Sequence, residues 1–237
     1  MREMKNGGVQ WIGEIPEKWA IVSTKFLFTI ISGATPESAK SENWDGNIRW
    51  ITPADYKTKD VYVAVGRRNL TQMGFDSCST NMVPTGSIIF SKRAPIGSVA
   101  INSADLCTNQ GCLSCINKGT SFVKFYYNIA REVAKITLNS RMCNRYVMYY
   151  LLSRCFVEYR TSHLSGSVYV GLNIELLSSC PLPNPELTEQ KAIADYLDKK
   201  CSQIDHLIAI KQAKIEKLEQ YKQSLIYEYV TGKREVM

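Results

Sequence analysis

The chain has 237 residues, 45% hydrophobic and 22% charged, a length and composition that can bury a core and that exclude a polar, disordered polymer. Its formal charge of +7 favours a polyanionic or acidic partner. No charged start followed by an apolar run opens the chain, and the apolar stretch from Trp19 to Ile31 is broken by Ser23, Thr24 and Lys25, so neither a secretory signal nor a membrane span is expected.

The eight cysteines are accordingly expected as free thiols in a reducing cytoplasm. Cys112 and Cys115 form a CxxC with Cys107 upstream. A zinc site wants a second matching pair, usually with histidine, and the chain's histidines are His163 and His206. Small buried residues of a strand are the better reading of this pair, and no metal is expected.

In chain order, residues 1–19 contain Trp11-Ile-Gly-Glu-Ile-Pro16 and Trp19, which suggest an arm pinned onto the domain or onto the long helix. Residues 20–183 form the globular domain. Ile21 to Ile31 reads as a strand or short helix, ended by a turn at Gly33, Thr35 and Pro36. Ile48–Thr52, Val61–Val65, Ser87–Ser91, Ser98–Ile101 and Gly111–Ile116 are β-branched apolar runs bounded by proline and glycine, hence strands of a mixed or antiparallel sheet. Phe122 to Ala134 and Arg141 to Tyr159 carry helical periodicity. A loop at Ser165-Gly166-Ser167, a strand or turn at Val168–Leu172 and a short helix over Asn173 to Leu177 follow. The fold class is therefore α/β, in the α+β sense, with one long C-terminal helix after the sheet domain.

That helix occupies most of residues 184–237. Leu197, Cys201, Ile204, Ile208, Ile215, Leu218, Leu225 and Tyr229 repeat at alternating spacings of three and four, with Lys211 and Lys222 filling the seam, which is a heptad stripe. Thr188 is the expected N-cap, with Pro181, Pro183 and Pro185 stopping the helix from starting earlier, and Gly232 ends it. About 43 residues at ~1.5 Å each make a rod of roughly 65 Å. The stripe packs either on this chain's own domain or, better given its length and the lack of a second such stretch in the sequence, on another helix.

Catalytic patterns fail in turn. Asn184-Pro185-Glu186-Leu187 lacks the aromatic end and the glycine-rich cofactor turn of an amino-directed methyltransferase. Glu186, Glu189 and Lys191 crowd a helix start, where capping explains them better than a nuclease does. His163 has Ser162 and Ser165 nearby without a nucleophile elbow. The reading is of a non-enzyme with no catalytic residue. Basic residues instead recur at Arg67-Arg68, Lys92-Arg93 and across Arg131–Arg160, where six basic residues face two acidic ones. Lys92, Arg93, Asn109, Gln110, Arg141, Asn144, Arg145 and Ser167 are the candidate DNA contacts, because arginine and lysine neutralise phosphates while Arg, Asn and Gln pair with base edges.

Four stretches give the chain a family likeness: Trp11 to Pro16 with Trp19; Pro84-Thr-Gly86 through Ser91-Lys-Arg93-Ala-Pro-Ile-Gly97; Cys107-Thr-Asn-Gln-Gly111; and Pro181-Leu-Pro183 with Glu189-Gln190, Ile193, Leu197, Ile204-Asp205, Ile215, Leu218 and Val230-Thr-Gly232. In these it resembles the specificity subunit of type I restriction-modification systems, in a half-length form with a single target-recognition domain. The resemblance implies a domain that reads one half of a bipartite site in double-stranded DNA, followed by a spacer helix. It also implies modification subunits that bind S-adenosylmethionine and carry the chemistry, and in some complexes a restriction subunit. This chain itself takes no cofactor. The expected unit is a homodimer paired through Leu197, Ile204, Ile208, Ile215, Leu218 and Leu225. The alternatives are a truncated product that pairs with a full-length subunit and a coiled-coil adaptor that reads no DNA.

Overall fold

The computed structural model describes residues 2–56, 61–93, 96–118, 142–163 and 173–236. They divide into two compact units, Met1–Ala194 and Asp195–Met237.

The first unit is α+β. Its centre is a five-stranded sheet in the order β4 (Phe28–Ser32), β11 (Cys112–Asn117), β8 (Ile88–Ser91), β9 (Val99–Asn102) and β6 (Tyr62–Val63). All pairs are antiparallel except β6 with β9. A three-stranded sheet sets β5 (Trp44–Ile51) between β10 (Cys107–Thr108) and β7 (Arg68–Leu70). The short helix α1 (Gln72–Asp76) follows β7, capped by the Thr71 hydroxyl, which accepts from the Gly74 N–H. Two small antiparallel ladders, β1 (Met4–Asn6) with β2 (Glu14–Pro16) and β3 (Ala20–Ser23) with β12 (Pro181–Asn184), complete the strands.

The central strands are unbroken apolar runs because both sheet faces are covered. The two-residue strand period sends Ile88, Phe90, Val99, Ile101, Leu113 and Cys115 to one face and Ile89, Ala100 and Cys112 to the other. The first face meets α2 (Asn144–Leu152), α3 (Arg154–Ser162) and α4 (Ile174–Ser179) through Tyr146, Val147, Leu151, Phe156, Tyr159 and Leu177. Phe156 packs edge-on to Phe90 at 5.5 Å, and truncating it to alanine costs about 3–5 kcal/mol. Cys112 and Cys115, three residues apart on one strand, fall in different clusters on opposite faces and do not converge on a metal. Burial pushes both thiols up to about 12.

Several expectations are corrected. The helix expected over Arg141 to Tyr159 breaks at Ser153, whose extended backbone (ψ 159) lets Val147 and Leu151 before it and Phe156 and Tyr159 after it reach the same core. Pro181 and Pro183 do not merely stop a helix. They lie in β12, where the alternate residues Leu182 and Asn184 are free to donate across the ladder. Thr188 is not the N-cap, since the long helix α5 begins one residue earlier, at Leu187. Gln190, just inside the helix, is fully buried: its amide donates to Asn184 Oδ1 and the Pro185 carbonyl and accepts from the Cys143 N–H. The expected elements at Phe122–Ala134 and Val168–Leu172, with the Ser165-Gly166-Ser167 loop, lie outside the described residues.

The second unit is the remainder of α5, which runs Leu187–Val230 and ends at Gly232 with φ +68. Within it Ile204, Ile208, Ile215 and Leu218 are 48–59% exposed, while Leu197, Cys201 and Leu225 are half-buried. A second row, Tyr196, Leu207, Ile210 and Tyr221, is also exposed. No described helix is long and apolar enough to cross a membrane.

Candidate nucleic-acid interface

The antiparallel register places Ser32 opposite Leu113 and Ser91 opposite Cys112, so β4, β8 and β11 have one end in common. The segments at this end, 33–36, 92–93 and 109–111, are held through the backbone. The Lys92 N–H donates to the Gly111 carbonyl at 2.9 Å, Ala34 N–H to Thr108 at 3.0 Å, and Asn109 N–H to Ile51 at 3.0 Å. Gly33 is required by this closeness, since a Cβ there would lie 1.8 Å from the Thr108 carbonyl oxygen. Gly111 sits close against Pro53, where a Cβ would meet the ring at 2.9 Å.

Lys92, Arg93, Asn109 and Gln110, in two stretches well separated in the sequence, meet on this end. Lys92 is half-buried and its Nζ donates to Ser32 Oγ at 3.0 Å. Burial first, and then the charge of Arg93, lower its pKa from the usual lysine value. Arg93 is exposed. Asn109 Oδ1 accepts from the Gly111 N–H at 2.9 Å, which closes its own turn and leaves the side-chain NH₂ as a donor. Gln110 Oε1 accepts from the Thr35 hydroxyl, which leaves the Gln110 NH₂ as a donor. The result is a surface of one half-buried and one exposed cation beside two amide donors, able to grip phosphates and to donate to base edges.

Two basic residues outside the expected set join this end. Arg67 reaches Asp55 Oδ1 at 3.6 Å, and Asp55 in turn closes the capping box with Thr52 after β5. The Arg160 guanidinium at the end of α3 lies over Gly97, 3.1 Å from where a Cβ would stand. Both stand in basic stretches of the sequence, but their place on this surface depends on how the chain folds back.

Asn144 is not part of this cluster, and Arg145 follows it on α2. Asn144 heads α2 and its Nδ2 donates to the Gly86 carbonyl, ahead of β8, whereas Lys92 follows that strand. Arg141 and Ser167 lie outside the described residues. His163, considered as a base, has its Nδ1 2.8 Å from the Tyr159 carbonyl oxygen and its ring against Trp11 and Tyr159, so it is a packing group. Among the described residues no group of three His, Cys, Asp or Glu side chains gathers as metal ligands.

Residues 16–220 match the type I restriction modification DNA specificity domain, and the chain belongs to that family. It is 32% identical over 209 residues to the type I restriction enzyme MjaIX specificity subunit of Methanocaldococcus jannaschii, covering 88% of this chain and 43% of that one. To the EcoR124I/EcoR124II specificity subunit of Escherichia coli it is 24% identical, over 82% of this chain and 41% of that one. The fold resembles the HsdS subunit from Thermoanaerobacter tengcongensis, with a TM-score of 0.58 at 18% identity, covering 95% of this chain and 47% of that one. A chain solved for the complex assembly and conformational transition of the type I R-M system has a TM-score of 0.64 at 19% identity, over 90% and 46% of the two chains. The chain spans less than half the length of these relatives.

Proposed function

We propose that this chain is the DNA-reading specificity component of a type I restriction-modification complex. It recognises one half-site with its globular unit and pairs with a second copy through α5. The carrying observation is the exposed seam. On α5 three- and four-residue steps lead from Leu197 and Cys201 into Ile204, Ile208 and, through Lys211, Ile215 and Leu218; these four large apolar residues are left about half exposed. A helix in water does not keep such a row uncovered, and two copies of it, antiparallel about a two-fold axis, bury each other's row.

Two identical reading units then recognise an inverted repeat interrupted by an unread spacer in double-stranded DNA. Lys92, Arg93 and the side-chain NH₂ groups of Asn109 and Gln110 supply the contacts at the loop end. The chain binds and does not catalyse. Methyl transfer belongs to modification subunits that carry S-adenosylmethionine, and cleavage to a restriction subunit where one joins. The second exposed row on α5, with Lys200, Lys214 and Lys217 interspersed, supports a further helical partner on the helix. The eight free thiols fit a cytoplasmic setting.

The test is the solution mass of the purified chain together with its binding to duplex DNA as salt is raised. The expected results are a dimer at micromolar concentration and a steep, log-linear loss of affinity. A monomer that binds DNA points instead to a half that pairs with a full-length subunit. Binding with no salt dependence points to a protein adaptor. In the source genome the methylated motif should be an interrupted palindrome, and an asymmetric one ends the homodimer reading.

A further inference from the structure

A second polar cluster lies on the three-stranded sheet, beside the loop-end surface, to which Trp50 joins it through Ala34. Trp44 is only 4% exposed, and its ring meets Trp50 edge-on at 5.2 Å. Trp50 is held in turn by its Nε1, which donates to the Ala34 carbonyl at 3.1 Å. On this fixed platform lies the guanidinium of Arg68, with Cζ 3.7 Å from the Trp44 ring centroid. Arg68 is exposed, and among the described residues it makes no ion pair. Stacking occupies one face of the guanidinium and leaves the N–H edge toward solvent, so the side chain has lost much of its rotamer freedom before any ligand arrives. Covering an indole would need only an aliphatic stem. A flat fork held by its face is suited to a pair of acceptors.

The strand beside it is distorted in a way that adds to the same edge. Trp44 and Ile48 both register against Leu70, so Asp45, Gly46 and Asn47 stand out of the β5–β7 ladder. Asp45 has φ +63, a conformation that a side-chain-bearing residue keeps only where its surroundings impose it. Gly46 allows the loop to fold down, since a Cβ there would sit 2.5 Å from the Leu70 carbonyl oxygen. Asp45 is exposed and Asn47 points away from the core. Bulges of this kind re-aim side chains.

We propose that Arg68 reads a guanine in the half-site through paired N–H groups, with Asp45 and Asn47 on the neighbouring bulge facing the adjacent base edges. The proposal rests on the DNA-reading function proposed above. Its choice of base edge over phosphate comes from Asp45: a carboxylate on the neighbouring bulge repels a phosphate but accepts from a cytosine amino group. Base edges, unlike phosphates, offer acceptors and donors side by side.

The experiment selects bound duplexes from a randomised pool with the full chain, then repeats the selection with Arg68→Lys, Arg68→Gln and Trp44→Phe. Wild type should return a motif containing a G·C pair that Arg68→Gln loses and Arg68→Lys reads less strictly while the other positions persist, with consensus binding of Arg68→Gln weakened about 10- to 100-fold. Trp44→Phe keeps an aromatic face under the guanidinium and should retain the motif. If Arg68→Lys keeps every position and Arg68→Gln weakens all sequences alike, Arg68 is a phosphate contact and the proposal is overturned. It is equally overturned if neither variant changes the motif. Should Arg68→Gln melt well below wild type, Arg68→Met takes its place in the selection, because lysine can itself donate to guanine and would not separate base from phosphate. If wild type itself returns no motif, the DNA-reading function fails and this assignment falls with it.

Discussion

The indole Nε1 of Trp19 donates to Glu189 Oε2 at 2.9 Å, a bond between residues 170 positions apart that ties the N-terminal segment to the first turn of α5. The other carboxylate oxygen takes the guanidinium of Arg2, so one side chain at the positive end of the helix holds two parts of the N-terminus. Glu189→Ala should lower the unfolding free energy by about 1–2 kcal/mol, since it removes a charge-assisted bond and leaves the indole donor unmet. Urea unfolding of the full chain measures this. Glu189→Gln, which keeps an acceptor for Trp19, should lose less, and equal losses would show that the ion pair with Arg2 dominates.

Gly33→Ala tests the loop end directly. The added methyl meets the Thr108 carbonyl at a distance no real contact has, and the obstacle is backbone rather than a movable side chain. The variant should lose about 3 kcal/mol or more and be poorly soluble. Normal expression with an unchanged melting temperature would mean that Gly33 does not pack against Thr108.

Lys92 should contribute to DNA binding while opposing folding. Its pKa is lowered mainly by burial, so the unfolded chain holds the proton more tightly than the folded one. Stability should therefore rise with pH between the folded value and the ordinary lysine value of about 10.4, and the penalty should be complete below that window. Lys92→Met removes the penalty: it should melt at or above the wild-type temperature, yet bind duplex DNA more weakly, with a salt slope smaller by about 1. A variant that melts lower and binds normally would make Lys92 purely structural.

The helix seam predicts a pair of opposite outcomes. Ile208→Glu, in the middle of the seam, should convert a dimer to a monomer at micromolar concentration. Ile210→Glu lies in the second row and should leave the dimer intact. Sedimentation of the two variants separates them, and two monomers would mean that the pairing face is broader than the heptad stripe.

The thiols offer a check on the core. Cys107, Cys112, Cys115 and Cys180 are buried, and burial pushes them up to about 11, 12, 12 and 12 respectively. Alkylation of the native chain at pH 8 should mark the half-buried Cys78 and spare these four until denaturant is added, as read by peptide mass. Early labelling of Cys112 or Cys115 would show that the sheet opens locally.

Much of the architecture was legible because it is written in local periods. Five expected strands appear within a few residues of their expected bounds, since runs such as Ile88 to Ser91 have no helical alternative between their prolines and glycines. The long helix was clearer still. The break at Ser153 was not legible, because Val147 and Phe156 each have a suitable helical neighbourhood and only the shared core requires the chain to bend between them. The role of Gln190 was not legible for the same kind of reason: its bonds to Asn184 and Cys143 are set by packing.

The surface follows the same division. The sequence alone determined that the chain is a basic α+β domain joined to a rod with an unpaired seam, because charge, strand alternation and heptad spacing are properties of neighbours along the chain. Only the tertiary structure decided that Lys92, Arg93, Asn109 and Gln110 share one end of the sheet, that Asn144 instead supports the turn at Gly86, and that Arg68 lies flat on Trp44. Those outcomes depend on strand register and on loops folding back over one another, long-range relations that no local spacing encodes.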